Sequence, residues 1–174
     1  HREQLSSKVI QRPPEFKADM GGCVVCDTRG VIRPYTHDDL SEVLEIWYLA
    51  SLGAHSFLSE DFLSAEREEI SARWLPASDT SVFEIGGHVV GFVSMIGDEV
   101  GAIFVAPDRQ SQGVGRALLD HVAASRRYLI LDVFEANTVG RRFYKMYGFR
   151  VVSEGIDDAT GLPTIRLRID LLPP

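Results

Sequence analysis

The chain is predicted to be α/β, with a central, mixed and mostly antiparallel twisted sheet of six to seven strands flanked by about four helices. Three observations carry this. Short β-rich runs are separated by two-residue turns, Gly86-Gly87 and Gly97-Asp98, which predict antiparallel strands in a meander. A strand, a helix and a further strand then run from Val100 to Phe134, a crossover expected to be right-handed. The length of 174 residues with an apolar fraction of 45% favours one domain around a single core.

The elements follow in order. Residues 1–29 show no periodicity, and Pro13-Pro14 breaks any helix there. This segment reads as a leader or an appended remnant outside the fold, and the domain is placed at residues 30–174. Val31 to Arg33 is a short strand. Thr36 is an N-cap, with Asp38 and Asp39 in a first turn that favours acids. Leu40, Val43, Leu44 and Trp47 recur at helical spacing, and Gly53 is expected to stop that helix. Ser59 starts a second helix, expected to end near Trp74, before Pro76. Strands are expected at 81–85, 88–96 and 100–105, then a helix from about Gln112 to Ser125. Leu129 to Phe134 is almost wholly apolar, as in a strand buried on both faces. A helix through Tyr144 precedes two last strands, near 149–154 and 164–169.

Composition limits the function. A net charge of −7 lacks the basic footprint of a nucleic-acid-binding protein and suits a cationic substrate. No apolar run is long enough to span a bilayer, and no signal-peptide pattern is visible. A cytoplasmic protein with no membrane partner is the expectation. Cys23 and Cys26 form a lone C-x-x-C. Zinc would need two further ligands and a redox pair a strand-to-helix turn, so the pair reads as incidental. His37, His88 and His121 show no metal-ligand spacing, and no metal is expected.

Two segments carry chemistry. The first, Val105 to Gly115, reads as a strand entering a glycine-bearing loop that opens a helix. A helix N-terminus aims backbone N–H groups and a favourable dipole at an anion. Gly113 and Gly115 allow close approach to phosphate oxygens, Gln110 offers a side-chain amide, and Arg109 and Arg116 add positive charge. No Gly-Lys-Ser/Thr follows, so this is not a Walker loop, and the third glycine of a dinucleotide fingerprint is missing. By itself the loop reads equally as an ordinary tight turn. The second segment, Asn137 to Phe149, reads as a capped helix ending at Gly148. Asn137, Gly140, Arg141 and Tyr144 are spaced to share one face, with Phe143 and Tyr147 on a neighbouring stripe that belongs to the core. Gly140 costs that helix about 1 kcal/mol relative to Ala, so something is expected to pack close to it. By itself this helix reads as amphipathic packing.

In this order and at this spacing, the two segments resemble the acyl-CoA site of the GNAT N-acetyltransferases. Gln110, Gly113 and Gly115 match Gln/Arg-x-x-Gly-x-Gly/Ala, and Asn137 to Phe149 matches Asn-x-x-Gly-x-x-Phe-Tyr-x-x-x-Gly-Phe. The likeness spans about Val31 to Ile169 and is to the small bacterial members. It implies the GNAT fold and acetyl-CoA as cosubstrate. Backbone groups of Gln110, Ser111, Gln112, Gly113, Val114, Gly115 and Arg116 would hold the pyrophosphate. Phe104 and Val105 would pair with the pantetheine arm, with Asn137, Gly140 and Phe143 beside it. Tyr144 would lie near the thioester sulfur as the candidate general acid. The implied activity moves an acetyl group to a primary amine by direct attack. The acceptor is a protein lysine, a protein N-terminus or a small-molecule amine. A non-catalytic acyl-CoA-binding regulatory module is the alternative.

The chain departs from the family in one respect. Many members keep a glutamate on the strand equivalent to Val100–Val105, where Gly101 and Ala102 stand here. Glu99, acting through a water, is then the candidate base, against a reading as a solvated turn carboxylate. An acceptor pocket is expected between the first two helices and the sheet. His55 and Phe57, in the loop joining those helices, are candidate acceptor contacts, against readings as an exposed histidine and a core phenylalanine. Glu60, Asp61, Glu66, Glu68 and Glu69 make the second helix acidic, which suits a cationic amine or simply a solvated face. Homodimers are common in the family.

Overall fold

The computed structural model describes residues 30–54 and 59–171. The segment 1–29 with Cys23 and Cys26, and both His55 and Phe57, lie outside the described residues.

Seven strands form one sheet: β1 (Val31–Pro34), β2 (Asp79–Ile85), β3 (His88–Ile96), β4 (Glu99–Val105), β5 (Tyr128–Phe134), β6 (Arg150–Ile156) and β7 (Pro163–Asp170). Their order is β1-β2-β3-β4-β5-β7-β6. Every pairing is antiparallel except that of β4 with β5. The hairpin at Gly86-Gly87 has φ of 61° and 86°, the left-handed pair that a type I′ turn requires. β7 inserts between β5 and β6, so the last two strands do not simply extend the sheet in sequence order.

Helix α1 (Leu40–Ala54) passes through Gly53 rather than stopping there. Before it, a 3-10 turn (His37–Asp39) follows Thr36. The Asp39 carboxylate accepts from the Thr36 backbone N–H at 2.8 Å and receives two Arg33 guanidinium bonds at 2.8 Å. Arg33 in turn reaches Glu84 at 2.6 Å, which ties β1 and β2 to the helix start. Arg33 holds the Asp39 carboxyl at about 2.

Helix α2 (Glu60–Glu69) begins at Ser59, whose hydroxyl accepts from Phe62 N–H. It does not end at Trp74. A π turn (Ile70–Trp74) carries it into α3 (Leu75–Ala77), which contains Pro76. The Leu75 N–H bonds Ile70 O, a wider i to i+5 spacing. That local widening relieves the clash of the pyrrolidine ring with the preceding turn, and the rod continues.

Helix α4 (Val114–Ala123) starts two residues later than expected, because Gly113 at φ 89° is its left-handed N-cap. Helix α5 (Thr138–Tyr147) is capped by the Asn137 side chain, which accepts from Gly140 N–H, and ends at Gly148 with φ 120°.

Two apolar clusters sandwich the sheet. On one face α4 and α5 bury Val114, Leu118, Val122 and Tyr144 against Ile103, Leu131 and Val133. On the other, α1 and the α2–α3 rod bury Val43, Trp47, Leu63 and Leu75 against Phe92 and Phe104. The alternation of Ile103 and Phe104 between the two clusters is the strand period of two.

Candidate active site

The sheet opens at its centre. β4 and β5 are paired at Glu99 and Ile130, near the start of each strand, and no further pair continues toward their C-terminal ends. The cause lies in β4. Ser94 of β3 pairs with Ala102, and the next residue, Met95, pairs with Val100. Gly101 is therefore an extra residue, a bulge that bends and twists its strand away from a neighbour. Glycine at that position gives the strand the freedom to do so. The C-terminal ends of β4 and β5 flank the opening.

The two chemistry-bearing segments line that end. After β4 the chain makes a 3-10 turn (Pro107–Arg109) and enters α4 at Gly113. The first N–H groups of α4 have no carbonyl a turn earlier in the helix, so they remain available to an anion. Ser111 also takes a left-handed φ of 60°. The side-chain amides do other work. Gln110 donates to Val105 O at 3.2 Å and Gln112 to Asp108 O at 2.9 Å, so both shape the loop rather than reaching out of it. Arg109 lies beside Asp108, and Arg116 lies 3.7 Å from Asp120 and over the Tyr147 ring. A Cβ built on Gly115 would lie 3.4 Å from the Phe143 ring and 3.7 Å from Val105, so the α4 start, α5 and the β4 end converge there.

At the opposite lip, the Asn137 N–H bonds Phe134 O at the end of β5. Its side chain is 3% exposed. The Oδ1 atom caps α5, at 2.9 Å from Gly140 N. The Nδ2 atom is buried without a hydrogen-bond partner among the described residues. Burying such a donor costs about 1–3 kcal/mol. Gly140 makes room for it, since a Cβ there would lie 2.4 Å from Nδ2. The close neighbour expected at Gly140 is thus the asparagine amide. Arg141, expected on the same face, is exposed and donates to Glu135 O instead. Tyr144 is 2% exposed, edge-on to Phe143 and Phe149 at 5.4 Å. Burial pushes its phenol well above the ordinary tyrosine value. Phe143 is half-buried, and the half-buried Tyr147 donates to Asp120 at 2.8 Å.

Glu99 sits at the β4–β5 bridge. Its Oε2 accepts from Arg166 Nη2 at 2.8 Å, and Arg166 Nη1 lies 3.6 Å from Asp132. The three residues tie β4, β5 and β7 where the sheet is still closed. Burial pushes the Asp132 carboxyl up, with Arg166 opposing it.

A recess opens on the other face of β4. Its walls are Trp47, Ile70, Trp74, Leu75, Phe92 and Phe104, from α1, the α2–α3 rod and the sheet. Among the described residues Glu66 is the one carboxylate in its wall, and Ser78, Ser94, Ile96, Gly101 and Ala102 also line it. These residues come from α1, the α2–α3 rod, β3, β4 and the turn at Ser78. The local sequence signals for them were the acidic second helix that carries Glu66 and the Gly101-Ala102 pair, which marks a bulge or close approach in a strand. Among the described residues no group of three or more His, Cys, Asp or Glu side chains could hold a metal ion. No described helix is long and apolar enough to cross a membrane.

The α/β sheet splits beside a glycine-capped helix start, and comparison with known proteins identifies the family. The family described as acetyltransferase (GNAT) domain matches residues 76–151. Peptidyl-lysine N-acetyltransferase YiaC of Escherichia coli is 30% identical over 135 residues, 77% of this chain and 92% of the relative. Peptidyl-lysine N-acetyltransferase YjaB of Salmonella typhimurium is 32% identical over 133 residues, 76% and 91% of the two chains. The solution structure of apo-form YjaB from Escherichia coli superposes with a TM-score of 0.73 at 29% identity, covering 80% of this chain and 96% of that one. The chain belongs to the GNAT family and is an acyl-CoA-dependent N-acetyltransferase.

Proposed function

We propose that the protein transfers the acetyl group of acetyl-CoA to a primary amine by direct attack, with protein lysine as the favoured acceptor. The observation that carries this is the buried, unpartnered Asn137 Nδ2 at the lip of the β4–β5 opening. A buried donor of this kind calls for an acceptor from a ligand, and the amide carbonyls of a pantetheine arm are such acceptors. The peptide edges of Phe104 and Val105 stand on the other lip. The first turn of α4, from Gly113 to Arg116, offers its N–H groups to the pyrophosphate. Supporting the lysine reading, YiaC and YjaB are both named peptidyl-lysine N-acetyltransferases.

The proton balance sets what the residues must do. A lysine-like amine, with pKa near 10.4, costs about 4.6 kcal/mol to neutralise at pH 7. Protonating a thiolate of pKa near 8.5 returns only about 2 kcal/mol. An α-amine would need only about 1 kcal/mol. Removing the amine proton is the larger demand. Tyr144, its proton held by burial, acts as a hydrogen-bond donor toward the departing sulfur at neutral pH. Glu99 has one oxygen committed to Arg166, so the proton leaves through water with Glu99 at most its distant acceptor.

Incubation with acetyl-CoA and a lysine-bearing peptide should give acetylated peptide by mass spectrometry. Tyr144→Phe should slow turnover about a hundredfold while retaining acetyl-CoA binding. Wild-type protein that binds acetyl-CoA and acetylates no amine would favour the binding-module reading.

A further inference from the structure

The sheet face under α1 and the α2–α3 rod is covered on one half only. Those helices pack on β2, β3 and β4, and the apolar cluster beneath them holds no described residue of β5, β6 or β7. The strand sequences explain the bare half. Leu129, Leu131 and Val133 of β5, with Ile165 and Leu167 of β7, belong to the cluster under α4 and α5. The strand period of two therefore sends Asp132, Arg166 and Arg168 to the opposite face. Asp132 and Arg166 stand directly across from each other in the β5–β7 ladder.

Asp132 also has a defined place along the split. The β4–β5 pairing stops at Ile130, and Phe134 O holds the Asn137 N–H at the lip. Asp132 lies midway, about 7 Å along the strand from each. Across the gap β4 presents the Gly101 bulge and Ala102, neither with a polar side chain. Arg166 divides its guanidinium unequally. Its Nη2 donates to Glu99 at 2.8 Å, and its Nη1 comes only to 3.6 Å from Asp132. The second contact is an ion pair too long for a hydrogen bond. No described residue donates a hydrogen bond to the Asp132 carboxylate, and its side chain is 23% exposed, so water reaches it. Burial pushes this carboxyl up, Arg166 opposes the rise, and Asp157 in the turn after β6 adds to it. Asp157 is itself occupied by the Thr160 N–H and hydroxyl. Arg168, the next cation on this face of β7, is turned to Asp170 and the Tyr128 ring. A carboxylate raised above its ordinary value is a better proton acceptor near neutrality.

From this placement we infer that Asp132 receives, through one water, the proton that the acceptor ammonium loses before it attacks the thioester, and that Glu99 is a positioning residue that keeps Arg166 from closing on Asp132. The inference rests on the acetyltransferase reading above and deepens it. Strand β5 supplies the carboxylate that β4, with Gly101 and Ala102, lacks. The protons balance. The ammonium gives one proton to Asp132, which passes it to solvent. The neutral nitrogen then attacks the acetyl carbon, so the C–N bond forms and the C–S bond breaks. The second proton lost by the nitrogen balances the one gained by the departing sulfur, for which Tyr144 is the donor.

The pH dependence of kcat with acetyl-CoA and Nα-acetyl-lysine amide tests this. Wild-type kcat should fall on the acid side as Asp132 takes up a proton. Asp132→Asn should lower kcat about a hundredfold at neutral pH and remove that limb. Its kcat should instead climb about tenfold per pH unit as solvent alone deprotonates the amine. The gap to the wild type then narrows with pH, whereas a merely structural loss would keep the ratio constant. Glu99→Gln releases Arg166 toward Asp132 and should move the acid limb to lower pH without removing it. Asp132→Glu, which keeps the acid and displaces its oxygens, should lower kcat about tenfold and keep a limb. Calorimetric acetyl-CoA affinity should stay unchanged in all three variants, which also shows that they fold. Wild-type kcat with an intact limb in Asp132→Asn overturns the inference and leaves the acetyltransferase reading standing. A limb that Glu99→Gln removes and Asp132→Asn keeps does the same. If Asp132→Asn does not fold, a wild-type profile in Asp132→Glu has equal force. Folded wild-type protein that binds no acetyl-CoA, or that acetylates no amine, overturns the underlying reading and this inference with it.

Discussion

Asp39 and Asn137 are both buried polar residues at helix starts, and they differ in how fully they are satisfied. Asp39 takes two guanidinium bonds from Arg33 and one from the Thr36 backbone. Its partners all come from the protein, so its work is structural. Asn137 spends its oxygen on Gly140 N–H and leaves its buried nitrogen with no partner. One cap is fully paired by the chain, and the other keeps a buried donor that no described residue pairs.

The largest expected effect breaks the structural side. Asp39→Asn leaves the Arg33 guanidinium facing a neutral amide and should lower unfolding free energy by about 3 kcal/mol, measured by urea denaturation. Acetyl-CoA affinity should not change. In the wild type the same carboxylate makes stability depend on acid. Its folded value near 2 lies below the ordinary 3.8, so its contribution is complete above about pH 4 and is lost as pH falls toward 2. The loss should be about 2 kcal/mol by denaturation at successive pH values. The Asp39→Asn variant should not show this component.

Gly140→Ala sharpens the functional side. The new Cβ would meet Asn137 Nδ2 at 2.4 Å and force the amide aside. Alanine gains about 1 kcal/mol of helix propensity, and the disturbed cap loses about the same. Stability should therefore move by less than about 1 kcal/mol, while acetyl-CoA affinity falls about tenfold or more. Gly115→Ala is the control with the smallest effect. Its Cβ would meet only ordinary contacts, 3.4 Å from Phe143, so thermal stability should stay within about 0.5 kcal/mol.

The cofactor side of the molecule was legible in the sequence because its signals are local. The Gly86-Gly87 turn, the strand bounds to within two residues, the Asn137 cap and the Gly148 stop all depend on neighbours in the chain. The recess on the other face was legible only in outline: a pocket between the first two helices and the sheet was expected, and Glu66 of the acidic second helix lines it. Its aromatic walls, Trp47 and Trp74, meet Ser94 only through tertiary packing. The placement of β7 between β5 and β6 is likewise a long-range pairing. Pro76 misled because proline normally ends a helix, and a π turn here lets the rod pass. Arg141 misled because a face defined by spacing alone is wider than the buried stripe.

The central claim is that the idle amide of Asn137 is held for acetyl-CoA. Asn137→Asp tests it most directly, since aspartate keeps the capping oxygen for Gly140 N–H and replaces the donor by a carboxylate oxygen that only accepts. Calorimetric titration with acetyl-CoA should show binding to the wild type and at least about tenfold weaker binding to the variant, with circular dichroism showing that the variant is folded. Equal affinity in the two proteins, or no binding to folded wild type, would contradict the account.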